Sequence, residues 1–189
     1  MSGKCFNPAK LEKLNNPERI AELPMSFLCD KAALSDPQVI IDLGAGTGLF
    51  SRALVDYFPH CTVYAYDVSK VMVDWMQANV VPHYPRVVPR LMADGQVDAA
   101  DGFADFLLMV NLHHEIDNPL KTLQESYRLV KTGGSIAISD WRKEEMDKGP
   151  SVKIRVDAME VKHQLQEVGF LDITVYDDFR YNYLVIGYK

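Results

Sequence analysis

The sequence of 189 residues predicts an α/β protein with a doubly wound, mostly parallel sheet of seven strands that closes with a C-terminal antiparallel hairpin. Three observations support this fold class. Strand and helix patterns alternate along most of the chain, a glycine-rich turn follows the first strand, and no helix separates the last two strands. Alternating units build a parallel sheet with helices on both faces, whereas strands joined by a short turn pair antiparallel.

Composition indicates a folded, single-domain protein. Apolar residues make up 48% of the chain and charged residues 24%, a balance that excludes disordered and fibrous proteins. The net charge of −6 argues against a nucleic-acid partner, which needs a basic face. The distant cysteines Cys5, Cys29 and Cys61 predict free thiols in a reducing compartment. Because no signal core or bilayer-length apolar run is seen, we expect a cytoplasmic protein without membrane insertion.

Short apolar runs rich in β-branched and aromatic residues predict the strands. The third run overlaps a proline-rich stretch over 80–89, where we expect a loop or an edge strand because proline removes a ladder donor. The seven predicted strands cover residues 39–43, 62–66, 87–92, 106–110, 135–139, 173–176 and 183–186.

Capping and stop signals set the boundaries of the predicted helices. Apolar residues at helical spacing follow most of the predicted strands, and small polar residues precede several of these runs. Glycine or proline ends them. The start signals are Ser69, Asn118 and Asp157, and the stop signals are Pro59, Gly133-Gly134 and Gly169.

Residues 1–35 are predicted to form an N-terminal helical segment ahead of a domain over 36–189. Leucines at helical spacing are interrupted by several prolines, which predicts one or two short helices. A charged loop over 141–155 follows the fifth predicted strand. Because both segments should lie beyond the carboxyl ends of the strands, we expect them to close over a substrate.

Polar residues stand at the carboxyl ends of the predicted strands. In a doubly wound sheet, ligands bind in the crevice beyond those ends. The turn Gly44–Gly48 follows the first strand, Asp67 ends the second, and Asn111 follows the fourth. Asp94 and Asp140 stand at the ends of the third and fifth strands, so we expect all of these residues to lie close together.

Three ligand classes are candidates for the turn Gly44–Gly48. A phosphate loop needs a lysine at its end, but the nearest cation downstream is Arg52. A dinucleotide fingerprint needs glycine where Leu49 stands, which makes a nicotinamide-dependent oxidoreductase the weaker alternative. The carboxylate of Asp42 would attract the cationic groups of S-adenosylmethionine and repel a pyrophosphate. Asp67 can accept the hydrogen bonds of a ribose diol, whether the ligand is S-adenosylmethionine or a nicotinamide dinucleotide.

The segment VIIDLGAGTGLF, residues 39–50, resembles motif I of the class I S-adenosylmethionine-dependent methyltransferases. Four further segments follow in the family's order up to the C-terminus: VYAYD, MADGQ, DFLLMVNLHHEIDNP and RLVKTGGSIAISDW. Thr132 stands where the family usually has proline. The chain is most similar to small stand-alone enzymes that look like the ubiquinone/menaquinone-biosynthesis C-methyltransferases. The resemblance implies a Rossmann-like fold and transfer of a methyl group from S-adenosylmethionine to a small-molecule acceptor, with S-adenosylhomocysteine as product.

The resemblance also implies roles for individual residues. Asp42 would orient the amino group of the cofactor, and Asp67 would hold the ribose hydroxyls. Met72 would pack near the adenine, and Asp94 would accept from the adenine amino group. The backbone around Asn111 would face the methionyl end. The glycines that would pass under the methionine part and the ribose are Gly44, Gly46 and Gly48.

Catalysis of methyl transfer can come largely from positioning, and a base is needed only when the acceptor must lose a proton. His113 and His114 follow the fourth predicted strand. Neighbouring side chains point apart and HExxH spacing is absent, so no metal site is expected. The pair lines the pocket or caps the next turn, and His114 is the candidate catalytic residue.

The sequence also bears on two further function classes. No Asn-Pro-Pro-Tyr-type element follows the fourth strand, which argues against base methylation of nucleic acids. A catalytically silent S-adenosylmethionine-binding module that regulates a partner is the second hypothesis, because cofactor residues predict binding and not turnover.

Overall fold

A computed structural model describes residues 9–93 and 95–189. Its centre is one seven-stranded sheet in which the first five strands are parallel and the seventh runs antiparallel to its two neighbours, the fifth and the sixth. The strands are β1 (Val39–Leu43), β2 (Thr62–Asp67), β3 (Val87–Leu91), β4 (Ala104–Val110), β5 (Val130–Trp141), β6 (Leu171–Tyr176) and β7 (Asn182–Tyr188). Their order across the sheet is β3-β2-β1-β4-β5-β7-β6. The predicted doubly wound fold with its antiparallel closing hairpin is confirmed.

Helices cover both faces of the sheet. Within the described ranges they are α1 (Ala9–Leu14), α2 (Glu18–Glu22), α3 (Met25–Lys31), α4 (Leu49–Tyr57), α5 (Lys70–Asn79), α6 (Pro119–Leu129) and α7 (Ala158–Glu167). None of these helices is long and apolar enough to cross a membrane.

The buried side chains form two main layers because neighbouring residues of a strand point to opposite faces. In β1, Ile41 packs on the face that carries α6 and α7, together with Leu165. Ile40 packs on the other face with Leu28 of α3 and Leu54 of α4. All of these side chains are fully buried. The sheet is therefore held rigidly from both sides, which fixes the positions of its strand ends.

The strand order creates a crevice at the carboxyl ends of β1 and β4. From β1 the chain moves outward to β2 and β3, then returns to pair β4 against the other side of β1. The helices that follow β1 and β4 therefore lie on opposite faces, and the loops diverge between them. The end of β1 with Asp42, the glycine turn Gly44–Gly48 and Asn111 after β4 border this crevice.

The predicted helix starts at Ser69, Asn118 and Asp157 are confirmed. Each side chain accepts a hydrogen bond from a backbone amide in the first turn of its helix. Pro17 and Pro24 also occupy N-cap positions, of α2 and α3. The prolines thus divide the N-terminal segment into three short helices rather than the predicted one or two.

The glycine pair Gly133-Gly134 does not end a helix as predicted. Helix α6 ends at Leu129, and β5 begins at the next residue with a bulge opposite β4. A Cβ atom on Gly134 would lie 2.7 Å from the backbone oxygen of Asp105. Gly134 therefore allows the close approach of β5 and β4, a contact between distant segments that a local helix-stop pattern does not reveal.

Candidate active site

The turn between β1 and α4 is a tight cradle of backbone. Gly44 and Gly48 adopt φ values of +75° and +71°, which favour glycine. A Cβ atom on Gly44 would lie 2.7 Å from the Leu112 side chain. The amides of Gly44 and Ala45 both donate to the backbone oxygen of Tyr66 at the end of β2. The turn is therefore fastened to β2 and pressed against the loop after β4.

Asp42 lies in β1 beneath this turn with 2% of its surface exposed. Its Oδ2 accepts a hydrogen bond from Ser51 Oγ at 2.5 Å. The pKa of Asp42 is raised to about 6, mainly by burial. The neighbouring carboxylate of Asp67 contributes to this rise, whereas Ser51 and Arg19 oppose it. The site holds more negative charge than its own cations offset, so it favours a cationic ligand.

Asp67 ends β2 and joins two loops. Its Oδ2 accepts from the Gly46 amide and its Oδ1 from the Ser69 amide, both at 2.8 Å. Burial raises the pKa of Asp67 despite these bonds. A carboxylate oxygen can accept two hydrogen bonds, so each oxygen keeps capacity for one more donor.

Apolar side chains form a rim around Asp67. Val68, Val71 and Leu91 are exposed by 68%, 48% and 52%. Leu91 is the register partner of Asp67 across β2 and β3, and Val68 follows Asp67 directly. Exposed apolar patches commonly mark binding sites. This rim was not predicted from the sequence. The signal that could have indicated it is the apolar residue directly after the acidic residue at the end of β2.

Met72, predicted near the adenine, lies in the first turn of α5 next to the rim and is 7% exposed. Its amide donates to Ser69 Oγ at 3.5 Å. Asp94, predicted to contact the adenine amino group, lies outside the described residues.

Two unusual polar groups stand near the crevice. Asn111 has a positive φ of +53°, and its Oδ1 accepts from Asn182 Nδ2 at 2.6 Å. The bond ties the loop after β4 to the start of β7. The Thr47 hydroxyl in the glycine turn is buried without a hydrogen-bond partner among the described residues. A buried hydroxyl without a partner indicates a site that a ligand or water completes.

The two histidines after β4 point to different partners. His113 is buried, its Nε2 lies 2.8 Å from Gln164 Oε1 in α7, and burial lowers its pKa. His114 Nδ1 lies 2.7 Å from Asp140 Oδ1 at the end of β5. Within residues 9–93 and 95–189, no group of three or more His, Cys, Asp or Glu side chains is arranged to hold a metal ion.

The charged loop after β5 is organised by one buried arginine whose role was not predicted from the sequence. Arg155 is 4% exposed, and its guanidinium donates to backbone oxygens along the loop. The charged loop over 141–155 is therefore organised around a buried side chain. The accepting carbonyls are those of Arg142, Glu144, Lys148 and Pro150.

The N-terminal helices reach both the glycine turn and this loop. Lys148 of the loop forms an ion pair with Glu22 of α2. A Cβ atom on Gly46 would lie 3.7 Å from Leu14 Cδ1 of α1, so that leucine lies beside the turn. The two segments expected to cover the substrate are thus in direct contact.

The arrangement suits a ligand with several chemical parts. Two buried carboxylates favour a cation and donors such as a diol, and the exposed apolar rim suits a flat ring. The glycine backbone leaves room for close approach. These features fit S-adenosylmethionine, which joins an amino acid and a sulfonium to an adenosine.

Comparisons with known proteins agree with this chemistry. Residues 41–138, just over half of the chain, match the family described as methyltransferase domain. The structure of a SAM dependent methyltransferase from Aquifex aeolicus matches with a TM-score of 0.88 and 29% identity, over 96% of this chain and 98% of that one. Phosphoethanolamine N-methyltransferase 2 of Haemonchus contortus, solved with S-adenosyl-L-methionine, shows the same fold with a TM-score of 0.73 and 15% identity, over 87% and 51% of the chains.

A curated relative adds a more distant match. Malonyl-[acyl-carrier protein] O-methyltransferase of Paenibacillus sp. (strain JDR-2) is 25% identical over 124 residues, which are 63% of this chain and 45% of the relative. The match spans less than half of that relative's length. The family match and the shared fold together establish that the chain belongs to the methyltransferase-domain family and is a class I S-adenosylmethionine-dependent methyltransferase.

Proposed function

We propose that the enzyme transfers the methyl group of S-adenosylmethionine to a small-molecule acceptor by in-line displacement, mainly through positioning. The observation that carries this proposal is the pair of buried carboxylates, Asp42 and Asp67, on the two sides of the glycine turn. When bound, the cofactor supplies a methyl group already activated by a sulfonium. The chain's own task is then to bind, orient and exclude water.

Asp42 is proposed to attract the amino group of the methionine part. Its raised pKa of about 6 reflects a buried charge for which nearby cations compensate only in part. A cationic ligand would supply the missing compensation. Gly44, Gly46 and Gly48 carry no side chains, so they would let the methionine part and the ribose approach the backbone.

Asp67 is proposed to accept from the two ribose hydroxyls with the free capacity of its oxygens. The bonds from Gly46 and Ser69 already fix both oxygens, so the carboxylate is oriented before a ligand arrives. The adenine would lie on the apolar rim of Val68 and Leu91, with Met72 behind it. Asp94 remains the proposed partner of the adenine amino group.

Asn111 is proposed to face the methionyl end, and the acceptor would enter between the loop after β4 and the N-terminal helices. The positive φ of Asn111 turns the chain at the crevice. The ion pair between Glu22 and Lys148 supports a cover formed jointly by residues 1–35 and the loop after β5. The remaining domain, 36–189, would carry the cofactor site. Such a cover leaves space for a small acceptor and excludes water from the reacting atoms.

Calorimetric titration with S-adenosylmethionine and separately with NADH tests the cofactor site. We expect binding of the former alone, and at least about fivefold weaker binding after Asp67→Ala because charge-assisted bonds are lost. Asp36→Ala, an exposed residue at the opposite edge of the sheet, is the matched control. Unchanged affinity in Asp67→Ala would overturn the site assignment.

A further inference from the structure

Asp140 holds His114 in one orientation. The side chain of Asp140 is 1% exposed, and its Oδ1 lies 2.7 Å from His114 Nδ1. Its Oδ2 accepts from the His114 backbone amide at 3.0 Å, and Oδ1 also accepts from the Trp141 amide at 2.7 Å. The carboxylate thus binds both the ring and the backbone of His114, so neither can rotate independently.

This contact determines which ring nitrogen carries the proton. An ionised carboxylate only accepts hydrogen bonds, so the neutral imidazole presents Nδ1–H to Asp140 and keeps a lone pair on Nε2. Among the described carboxylates, the one nearest to Nε2 is Glu115, whose Oε1 lies at 3.8 Å, beyond hydrogen-bond distance. The His114 side chain is only 5% exposed. Its basic nitrogen is therefore available and largely shielded from bulk water.

The pair also lies at the edge of the sheet where the methyl group must be presented. Asp140 belongs to the end of β5, and His114 follows the end of β4 by a few residues. The end of β1, with the glycine turn, is the next strand along this edge. The Asn111 bond to Asn182 holds the intervening loop in place.

We propose that His114 is a general base, positioned by Asp140, and that the acceptor is a hydroxyl group that is un-ionised at neutral pH. This inference rests on the proposed function. An amine attacks as its free base and loses no proton in the transfer step, and carboxylates are ionised without help. A hydroxyl gains most from a positioned base, because removing its proton creates the nucleophile. Asp140 acts through His114 and is a positioning residue.

The step balances in atoms and electrons. His114 Nε2 takes the hydroxyl proton as the acceptor oxygen forms a bond to the methyl carbon. The bond between that carbon and sulfur breaks, and its electron pair stays on the sulfur of S-adenosylhomocysteine. The imidazolium then releases its proton to solvent, and the Glu115 side chain, 55% exposed and 3.8 Å from Nε2, can relay it.

The first test measures the proton on the ring without any acceptor. We expect ¹⁵N-histidine spectra of the enzyme with S-adenosylhomocysteine at mildly alkaline pH to show His114 protonated on Nδ1, assigned by its loss in His114→Gln. Asp140→Asn should shift the proton toward Nε2, whereas exposed Asp178→Asn should not. A wild-type ring protonated on Nε2 would overturn the proposal.

The second test uses substituted phenols of graded acidity as acceptors, with methyl-labelled S-adenosylmethionine. We expect His114→Gln to slow methylation of weakly acidic phenols by about 10²-fold or more. The loss should shrink for phenols that ionise by themselves. His163→Gln, on the exposed side of α7, is the control and should match wild type.

The outcomes separate this inference from the proposed function. An equal loss across all phenols, or no methylation of any phenol by protein that binds S-adenosylmethionine, would overturn the general-base proposal and leave the cofactor site intact. Failure to bind S-adenosylmethionine in calorimetry would overturn the proposed site itself.

Discussion

The Gly46 amide donates to Asp67 Oδ2 at 2.8 Å, so the turn after β1 and the end of β2 are joined by a side chain that the ligand is also proposed to use. The same carboxylate holds the Ser69 amide at the start of α5. Two loops of the crevice therefore share one residue. Substituting Asp67 should disturb loop geometry as well as remove ligand contacts, which is why its neighbours provide cleaner tests.

Asp42→Asn should stabilise the free enzyme and weaken cofactor binding. The pKa of Asp42 is about 6 in the folded protein against 3.8 for the free group, so folding favours its protonated form. Stability from this group is present below the unfolded pKa and is lost as pH rises through about 6. At neutral pH the substitution should therefore gain on the order of 2 kcal/mol in unfolding free energy.

Urea unfolding at two pH values checks this expectation. The gain should be present at neutral pH and disappear at about pH 3, below the unfolded pKa of 3.8, where Asp42 is protonated in both states of the wild type. Affinity for S-adenosylmethionine should fall at least about tenfold, because the cation loses its partner. A variant that is no more stable than wild type at neutral pH would contradict the argument from burial.

Val68→Ser should weaken S-adenosylmethionine binding without changing stability. Val68 is 68% exposed, so it contributes little to the core, and a bound adenine would cover it. The loss of this apolar contact should cost about 1 kcal/mol, or roughly fivefold in affinity. Leu171→Ser, at a residue 65% exposed on the edge strand β6, is the control for surface apolarity. Equal affinities in both variants would place the adenine elsewhere.

Leu14→Ala should speed cofactor release. Leu14 lies beside Gly46, so α1 is in position to retain a ligand on the turn. Stopped-flow displacement should show a dissociation rate raised by a few fold with a small effect on association, as expected when contacts of the bound state are lost. Glu12→Ala, an exposed residue of the same helix, should leave the rate unchanged. Identical rates in Leu14→Ala would remove α1 from the proposed cover.

Arg155→Met should release the loop after β5. The guanidinium satisfies carbonyl oxygens of four residues, and losing it leaves buried polar groups without partners. We expect a destabilisation of about 2–4 kcal/mol and faster amide exchange over residues 142–150. Exposed Lys153→Met should do neither. Protection of the loop that survives in Arg155→Met would show that other contacts hold it.

Local signals predicted most of the fold and the placement of the carboxylates. Strand periodicity located Asp42 and Asp67, and Ser69, Asn118 and Asp157 marked helix starts, because these features depend on neighbouring residues. Contacts between distant segments lay beyond such reasoning.

Arg155 is an example of a contact that local signals do not predict, since its five hydrogen bonds exist only once the loop has folded around it. The 2.7 Å contact between His114 and Asp140 likewise joins residues from two strand ends. Exposure of Val68 could not be predicted either, because the pattern places an apolar residue there and does not say whether anything covers it. Contacts between distant residues and the exposure of side chains are determined only by the folded sheet and its loops.

The insertion of β7 between β5 and β6 has a consequence for how the enzyme assembles. Strand β6 pairs only with β7 in the described sheet, and β5 finds its second neighbour only in β7. Because Asn182 begins β7 and holds Asn111, the side of the crevice proposed for the acceptor forms after the half that contains Asp42 and Asp67 has been synthesised. Until then the edge of β5 offers unpaired backbone to other chains. Damage to β7 should therefore appear first as aggregation of the nascent protein, before any loss of cofactor affinity becomes measurable.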